Sequence, residues 1–204
     1  METAAHWEHV YASLSPDAVS WFQPHAAVSL ELIRRIDAGP GTRVIDVGGG
    51  ASTLVDDLLM HGAGDVTVLD ISAVALKVAR ERLGGDAARV HWIAGDITRV
   101  QLEPAAYDIW HDRAVFHFLT EPADRAAYVA QVRRAVRPGG HVIVAAFGPE
   151  GPEQCSGLPV VRYEPGALHA QFGDSFELLD RLTEQHCTPG GAVQQFVYCH
   201  CVRH

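Results

Sequence analysis

Two acidic residues and three glycines form the part of the sequence whose residue types and spacing say most about chemistry. Residues 43–50 read Arg-Val-Ile-Asp-Val-Gly-Gly-Gly, so that a short β-branched run leads into three consecutive glycines. A second apolar run, residues 66–69, ends directly before Asp70. Glycines after a buried strand let a ligand approach the backbone, and an acid after the next strand accepts hydrogen bonds from ribose hydroxyls. The pattern therefore predicts a nucleotide or nucleoside site.

Two common phosphate-binding motifs do not fit the sequence. In the G-x-G-x-x-G fingerprint of dinucleotide sites, Gly48 and Gly50 would be followed by glycine or alanine at position 53, where this chain has Thr53. The sequence also contains no G-x-x-x-x-G-K-[ST], which excludes a P-loop.

The remaining pattern, Asp46-x-Gly48-x-Gly50-x-Ser52 followed by Asp70, resembles motif I and the next acidic position of the class I S-adenosylmethionine-dependent methyltransferases. Ser52 stands where the family has its third glycine. The resemblance implies an α/β fold with a Rossmann-like, seven-stranded, mostly parallel sheet, an antiparallel last strand and an N-terminal helical cap. It implies S-adenosylmethionine as the cofactor and methyl transfer as the reaction.

The same resemblance assigns roles to individual residues. Asp46 would accept a hydrogen bond from the amino group of the cofactor, and Asp70 would bind both ribose hydroxyls. Asp96 would receive the adenine amine, with Ile71 and Ile97 on the two ring faces. The alternatives are a purely structural glycine turn and an Asp70 that only caps the next helix. The full set of implied cofactor-binding residues is Asp46, Gly48, Gly49, Gly50, Asp70, Ile71, Asp96, Ile97, His111 and Trp21.

Residues 107–119 carry four ionisable groups within seven positions, namely His111, Asp112, Arg113 and His117. Such groups beside a buried strand are costly unless they are paired or take part in chemistry, and we take these four as the catalytic candidates. His117 is similar to a histidine that the family often carries after this strand. Its ordinary pKa near 6.5 suits a general base at neutral pH. The alternative is an Asp112–Arg113 ion pair that holds the loop.

Methyl transfer requires no base if alignment and desolvation lower the barrier enough. The Asn/Asp-Pro-Pro-Tyr motif of amide and base-amine methylators is absent after the fourth strand, where residues 112–115 read Asp-Arg-Ala-Val. We expect a small-molecule acceptor. Three other hypotheses stay open: a protein-lysine methyltransferase of the same fold, an aminopropyl transferase, which Asp112 allows, and a non-catalytic cofactor-binding module.

Aromatic residues precede the predicted sheet. Tyr11, Trp21 and Phe22 can form a lid over the site, because an aromatic face attracts a sulfonium cation, or can simply pin the cap to the core. The sequence around them, Trp-x-x-x-Tyr and then Ser-Trp-Phe, is similar to a subgroup with both small-molecule and protein-lysine enzymes. Cys155, in a later loop, can line the acceptor pocket and bind a soft acceptor, or be an incidental thiol.

Composition limits the possible partners. The formal net charge of −9 and the lack of a lysine/arginine-rich stretch argue against a nucleic-acid substrate. No apolar run reaches the roughly 18 residues of a membrane span, and the N-terminus lacks the pattern of a signal peptide, so we expect a cytoplasmic protein. The Cys199-His200-Cys201 sequence with His204 allows a metal site, but alternation on one strand face favours core packing, and we predict no metal.

The elements that position these residues follow from periodicity and turn signals. We predict one domain over residues 1–204, with a helical cap at 1–40 and an α/β core at 41–204. Predicted helices span residues 4–12, 26–36, 73–83 (N-capped by Ser72) and 124–136. Predicted strands span residues 44–47, 66–69, 90–93, 107–110 and 141–147, followed by a long loop with a short strand at 160–161 and a hairpin of strands 176–187 and 192–202.

Overall fold

A computed structural model describes residues 4–36 and 39–204 of the chain. Residues 1–3 and 37–38 of the predicted cap lie outside the described residues. The helices are α1 (Ala4–Ser13), α2 (Ala27–Arg35), α3 (Leu54–Met60), α4 (Ala73–Leu83), α5 (Pro122–Ala135) and α6 (Pro165–Ala170). The strands are β1 (Arg43–Val47), β2 (Asp65–Asp70), β3 (Val90–Ala94), β4 (Tyr107–Arg113), β5 (Val136–Phe147), β6 (Gln154–Cys155), β7 (Leu158–Pro159), β8 (Phe176–Cys187) and β9 (Val193–Arg203).

Seven of the strands form one sheet in the order β3-β2-β1-β4-β5-β9-β8. The first five strands of this order run parallel, and β9 is antiparallel to both of its neighbours. The strand order reverses between β1 and β4, and ligands of open α/β sheets bind outside the carboxyl ends of the strands at such a switch point. The expected seven-stranded, mostly parallel sheet with an antiparallel last strand is confirmed.

The sheet buries both of its faces, and alternate residues of each strand serve alternate faces. In β1, Val44 belongs to the apolar cluster on one face and Ile45 to the cluster on the other. Helices α2, α3 and α4 cover the first face, and α5 and α6 cover the second. A strand buried on both faces reads as a continuous apolar run, which explains why the polar residues of β1 and β4 stand out in the sequence.

Four local predictions differ from the structure. Strand β5 begins at Val136, five residues before the predicted start, in a segment that was expected to end a helix and form a turn. Strand β4 continues to Arg113, so that His111 and Asp112 belong to a strand rather than to the loop after it. The short strand expected at residues 160–161 is wrong; the pairing occurs earlier, between β6 and β7. The Val161 backbone N–H instead donates to the His117 carbonyl at 2.8 Å. Helix α6 was not predicted, because its six residues are too few to show a helical period.

Among the described residues, no helix is long and apolar enough to cross a membrane. The assignment of all 204 residues to one domain stays a prediction.

Candidate active site

The glycine turn after β1 is fixed to the end of β2. The backbone N–H of Gly48 donates to the Leu69 carbonyl at 2.7 Å, and Gly48 has φ +71°, which side chains rarely tolerate. A Cβ on Gly49 would lie 2.5 Å from Asp46 Oδ2 and 2.7 Å from Val68 Cγ1. Glycine is thus required both by the backbone conformation and by the space that the Asp46 carboxylate occupies.

A cavity with about 730 Å³ of empty space, part of it open to solvent, lies at the carboxyl ends of β1, β2 and β4. One side of its wall comes from the strand ends and includes Asp70. The other side is mostly aromatic and apolar. The lining residues are Trp7, Tyr11, Trp21, Val47, Gly48, Leu69, Asp70, Ile71, Gly95, Ile97, Arg113, Ala114, Val115, Phe118 and Cys155. We call this space the main cavity.

Asp70 is the acidic group of the main cavity. Its Oδ1 accepts a hydrogen bond from the Ser72 backbone N–H at 2.8 Å, while Ser72 caps α4 through Ala75 N–H, as predicted. Burial raises the pKa of Asp70 to about 7, although the Ser72 hydrogen bond opposes this rise. A buried carboxyl with a raised pKa in a cleft is typical of a functional group. Asp70 does not itself cap α4, and its hydrogen bond with Ser72 N–H leaves its second oxygen for a ligand.

A second cavity, of about 540 Å³, shares Gly48, Trp21 and Arg113 with the main cavity. Its wall contains Asp46, Gly49 and His111. The site therefore has two neighbouring parts that share Gly48, one with the acid of β2 and one with the acid of β1.

Three buried side chains in the wall and behind it form a hydrogen-bonded row. His111 Nδ1 lies 2.7 Å from Asp46 Oδ1, and His111 Nε2 lies 2.8 Å from Ser29 Oγ. Asp46 and His111 are direct partners on the neighbouring strands β1 and β4, whereas Ser29 comes from α2. The sheet register thus brings the acid and the histidine together, and α2 packs over the pair.

Arg113 lies where the two cavities meet, but its charge is already neutralised. Its guanidinium pairs with Glu184 at 3.3 Å, donates to the Tyr198 hydroxyl at 3.1 Å and stacks over the Phe196 ring at 4.1 Å. It also donates to the Trp21 carbonyl at 3.3 Å. The group therefore ties the segment before α2 to β8 and β9, and it pairs with Glu184 rather than with Asp112.

Aromatic rings from the N-terminal segment close the main cavity. Trp7 packs edge-on against Trp21 and Phe118, with ring centroids 5.9 and 5.0 Å apart, and Tyr11 packs against Trp21 at 6.1 Å. The predicted aromatic lid is therefore formed by Trp7, Tyr11 and Trp21, whereas Phe22 lines only the second cavity.

Asp112 and His117, two of the four catalytic candidates, line neither cavity. Asp112 accepts from the Tyr128 hydroxyl at 2.6 Å and from Val115 N–H at 2.9 Å, and burial raises its pKa to about 7. His117 is fully buried beside Phe147, and burial lowers its pKa to about 3. The expectation that both face the acceptor is not supported by this placement, and a base role for His117 stays a prediction.

The expected adenine-binding residues divide into two groups. Ile71 and Ile97 line the main cavity, together with Gly95. Asp96 is not among the lining residues; its Oδ1 accepts from the backbone and the hydroxyl of Thr98 at 2.8 and 2.7 Å. Gly50 lies behind the wall, since a Cβ there would approach Asp70 Oδ2 at 2.8 Å.

The cysteines have different environments. Cys155 lines the main cavity, and burial raises the pKa of its thiol to about 11, so that the soft thiolate is disfavoured. Cys199 and Cys201 lie in the core with their sulfurs 3.0 Å apart. Within residues 4–36 and 39–204, no group of three or more histidine, cysteine or acidic side chains is arranged to hold a metal ion.

Several residues of the site were not predicted from the sequence. Ser29 and Glu184 sit on regular elements with ordinary spacing, so that only the packing of α2 and β8 reveals them. Glu8 accepts from the backbone N–H groups of Ala73 and Val74 at 2.8 and 3.1 Å, and thereby fixes α1 to the N-terminus of α4. A glutamate facing a helix start from a distant segment has no local sequence signal.

The chain is similar to proteins of one enzyme class. A family model described as "Methyltransferase domain" matches residues 44–140. The chain is 30% identical over 165 residues to a ubiquinone/menaquinone biosynthesis C-methyltransferase of Shewanella piezotolerans, covering 76% of this chain and 64% of that relative. It is 31% identical over 131 residues to a malonyl-[acyl-carrier protein] O-methyltransferase of Halalkalibacterium halodurans, covering 62% of this chain and 47% of that relative. The chain therefore spans less than two thirds of the length of these relatives.

Solved structures share the fold. A structure from work on the conversion of a disulfide bond into a thioacetal group during echinomycin biosynthesis matches with a TM-score of 0.75 and 18% identity, over 98% of this chain and 92% of the other. The Burkholderia thailandensis 1,6-didemethyltoxoflavin-N1-methyltransferase, with its substrate and S-adenosylhomocysteine bound, matches with a TM-score of 0.69 and 19% identity, over 98% of this chain and 84% of the other.

Proposed function

We propose that this chain, which belongs to the class I S-adenosylmethionine-dependent methyltransferases, transfers a methyl group from S-adenosylmethionine to a small-molecule acceptor. The observation that carries the proposal is the pair of neighbouring cavities at the switch point of the sheet, with Asp70 in the wall of one and Asp46 in the wall of the other. This arrangement suits a ligand that has a ribose at one end and an amino acid at the other.

The residues of the site fit that donor. In the main cavity, the Asp70 carboxylate suits the ribose hydroxyls, and Ile71 and Ile97 provide apolar surface for the adenine ring. In the second cavity, the Asp46 carboxylate suits the ammonium group. Gly48 lies in the wall of both cavities, so its backbone borders the space where the middle of the ligand would lie.

The donor, when bound, supplies a methyl group on a positively charged sulfur. The acceptor atom forms a bond to the methyl carbon while the carbon–sulfur bond breaks, and the electron pair of that bond stays on sulfur as S-adenosylhomocysteine leaves. The aromatic lid excludes water and presents ring faces that attract a cation. The protein therefore contributes alignment and a dry site.

The wall of the main cavity favours a small apolar acceptor. The part away from Asp70 contains Trp7, Val115 and Phe118, and its one cation, Arg113, is paired with Glu184. A protein-lysine methyltransferase would need an acidic or aromatic groove open to solvent; this wall is aromatic, but Asp70, assigned to the donor, is its one acidic side chain. The ubiquinone/menaquinone C-methyltransferase and the Burkholderia enzyme with bound 1,6-didemethyltoxoflavin agree with a small acceptor, whereas the malonyl-[acyl-carrier protein] O-methyltransferase is named for an acceptor carried on a protein.

The lining also supports transfer without a protein base. Apart from Asp70, the ionisable groups that line the main cavity are Tyr11, Arg113 and Cys155. Burial raises the pKa of both Tyr11 and Cys155, and each keeps its proton at neutral pH. We therefore propose an acceptor whose attacking atom loses its proton readily, such as an acidic thiol, phenol or enol. A cytoplasmic location stays a prediction.

Calorimetric titration tests the proposal. S-Adenosylmethionine and S-adenosylhomocysteine should bind with micromolar affinity, NAD should not bind, and Asp70→Ala should abolish binding. A panel of thiols, phenols and amines with radiolabelled donor then tests the acceptor class, beside histone-like lysine peptides and putrescine. Turnover of peptides or putrescine alone would favour the protein-lysine or aminopropyl alternative, and binding of NAD instead of the donor would refute the proposal.

A further inference from the structure

The row Asp46–His111–Ser29 is a polar arrangement that binding of the donor does not by itself explain. Asp46 and His111 are 3% and 2% exposed, and Ser29 is fully buried. Three hydrogen-bonding side chains in an apolar setting are costly unless each finds a partner, and the distances of 2.7 and 2.8 Å show that they do.

The direction of the hydrogen bonds follows from the chemistry of the partners. A carboxylate only accepts, so that the Nδ1–H of His111 donates to Asp46 Oδ1. With the ring proton on Nδ1, the Nε2 atom is the acceptor and the Ser29 hydroxyl is its donor. The ring is fixed at both nitrogens, and it in turn fixes the carboxylate.

The same three residue types form hydrolytic triads, but this row does not have the geometry for acyl transfer. A nucleophilic serine must face its substrate, whereas Ser29 is 0% exposed and lines neither cavity. Asp46 and His111, by contrast, do line the second cavity. All three residues are buried, and the acid and the histidine border the second cavity while the serine lies behind them.

One oxygen of Asp46 remains for a ligand. Oδ1 is bound to His111, and Oδ2 faces the glycine turn, where a Cβ on Gly49 would lie only 2.5 Å away. Rotation of the carboxylate would break the His111 hydrogen bond. Fixing the ring in place therefore fixes Oδ2 beside Gly49, which lines the second cavity together with Asp46.

We infer that His111 and Ser29 are positioning residues that hold Asp46 so that its Oδ2 accepts the ammonium group of the donor's amino-acid end. The inference rests on the proposed function and deepens it, because it separates recognition of the amino-acid end from recognition of the adenosine end. Asp70 and the isoleucines serve the adenosine end and do not contact this row.

Two ligands separate the two ends in one experiment. S-Adenosylhomocysteine carries the amino acid, and 5′-methylthioadenosine lacks it but keeps the adenosine and the sulfur. We would measure both dissociation constants by calorimetry for wild type, His111→Leu, His111→Asn and Ser29→Ala, with melting curves for each protein. His200→Leu is the matched control, because His200 is also a buried, hydrogen-bonded histidine but lies outside both cavities.

We expect His111→Leu to weaken S-adenosylhomocysteine binding roughly 10- to 100-fold, the loss that corresponds to one charge-assisted hydrogen bond. The dissociation constant of 5′-methylthioadenosine should change by less than about twofold. His111→Asn should recover part of the loss, since its amide N–H can donate to Asp46, and Ser29→Ala should give a smaller loss for the same ligand only. His200→Leu should leave both ligands unaffected.

If His111→Leu lost affinity equally for the two ligands, or lost none for either, the inference would be overturned while the proposed function stayed intact. Wild-type protein that binds neither ligand would overturn both. If His111→Leu does not fold, Ser29→Ala and His111→Asn decide the question, because both keep the packing of the core.

Discussion

Protonation of Asp70 should control donor affinity near neutral pH. Burial raises the pKa of this carboxyl to about 7, and its oxygen Oδ1 is already bound to Ser72 N–H at 2.8 Å. Ribose hydroxyls donate well only to the ionised carboxylate, so that binding must release the proton when one is present. The affinity of the free protein for S-adenosylhomocysteine should therefore fall as the pH falls below about 7.

The magnitude follows from that pKa of about 7. A single group with this pKa is about 90% protonated at pH 6 and about 10% protonated at pH 8. The dissociation constant should therefore be roughly tenfold larger at pH 6 than at pH 8. Asp70→Asn keeps an oxygen for Ser72 N–H and replaces the other oxygen by a donor. It should weaken binding by about 1.5–3 kcal/mol at pH 8, which is roughly 10- to 150-fold, and remove the pH dependence.

Calorimetry in two buffers of different ionisation enthalpy measures the dissociation constant and the number of protons released on binding. At pH 6 the wild type should release about 0.9 proton per ligand bound, and at pH 8 about 0.1. Asp112→Asn is the control, because Asp112 has the same raised pKa but lines neither cavity, and this variant should keep the wild-type proton release. Wild-type affinity that does not change between pH 8 and pH 6, or Asp70→Asn that keeps the full pH dependence, would refute the reasoning.

Two further predictions concern the glycine turn and the buried histidine. Gly49→Ala should weaken S-adenosylhomocysteine binding by at least about tenfold and lower the free energy of unfolding by roughly 1–3 kcal/mol, because the new Cβ meets the Asp46 carboxylate. Gly41→Ala is the control, because open space surrounds Gly41, and it should change neither quantity. Calorimetry measures the binding and urea unfolding the stability of both variants. His117 has a pKa lowered to about 3 in the folded chain, so the unfolded state binds more protons and stability falls as the pH falls from about 6.5 towards 3. Urea unfolding should show that His117→Asn removes about 2 kcal/mol of the stability difference between pH 8 and pH 5, and equal pH dependence in both proteins would contradict this account.

The sequence was sufficient to predict the core of the fold, because a sheet buried on both faces shows its strands as apolar runs between turn signals. Helix α4 matches its prediction in both bounds, and β1, β2 and β9 differ by a residue at their ends. Strand β4 was underestimated because His111, Asp112 and Arg113 look like loop residues. Their partners on other elements make a polar strand end stable, and those partners are distant in sequence.

The donor side of the site was more predictable than the acceptor side. Asp46, Gly48 and Asp70 follow a fixed spacing that strand geometry imposes, and all three line the cavities. The role of an ionisable residue after β4 depends instead on which way its side chain packs. Two of the four catalytic candidates, Asp112 and His117, are turned into the core by Tyr128 and Phe147, and nothing in their local sequence distinguishes them from His111 and Arg113.

The contact of Glu8 with α4 has a consequence for how the site opens. Helix α1 buries only Val10 completely, and Glu8 accepts from the first two backbone N–H groups of α4. A carboxylate at a helix N-terminus is stabilised by the helix dipole, and salt screens that attraction. Because Trp7 and Tyr11 of α1 line the main cavity, we expect ligand exchange to involve movement of α1. The rate of donor entry should therefore rise with ionic strength. A ligand that electrostatic attraction steers into an open site shows the opposite trend, because salt slows its entry.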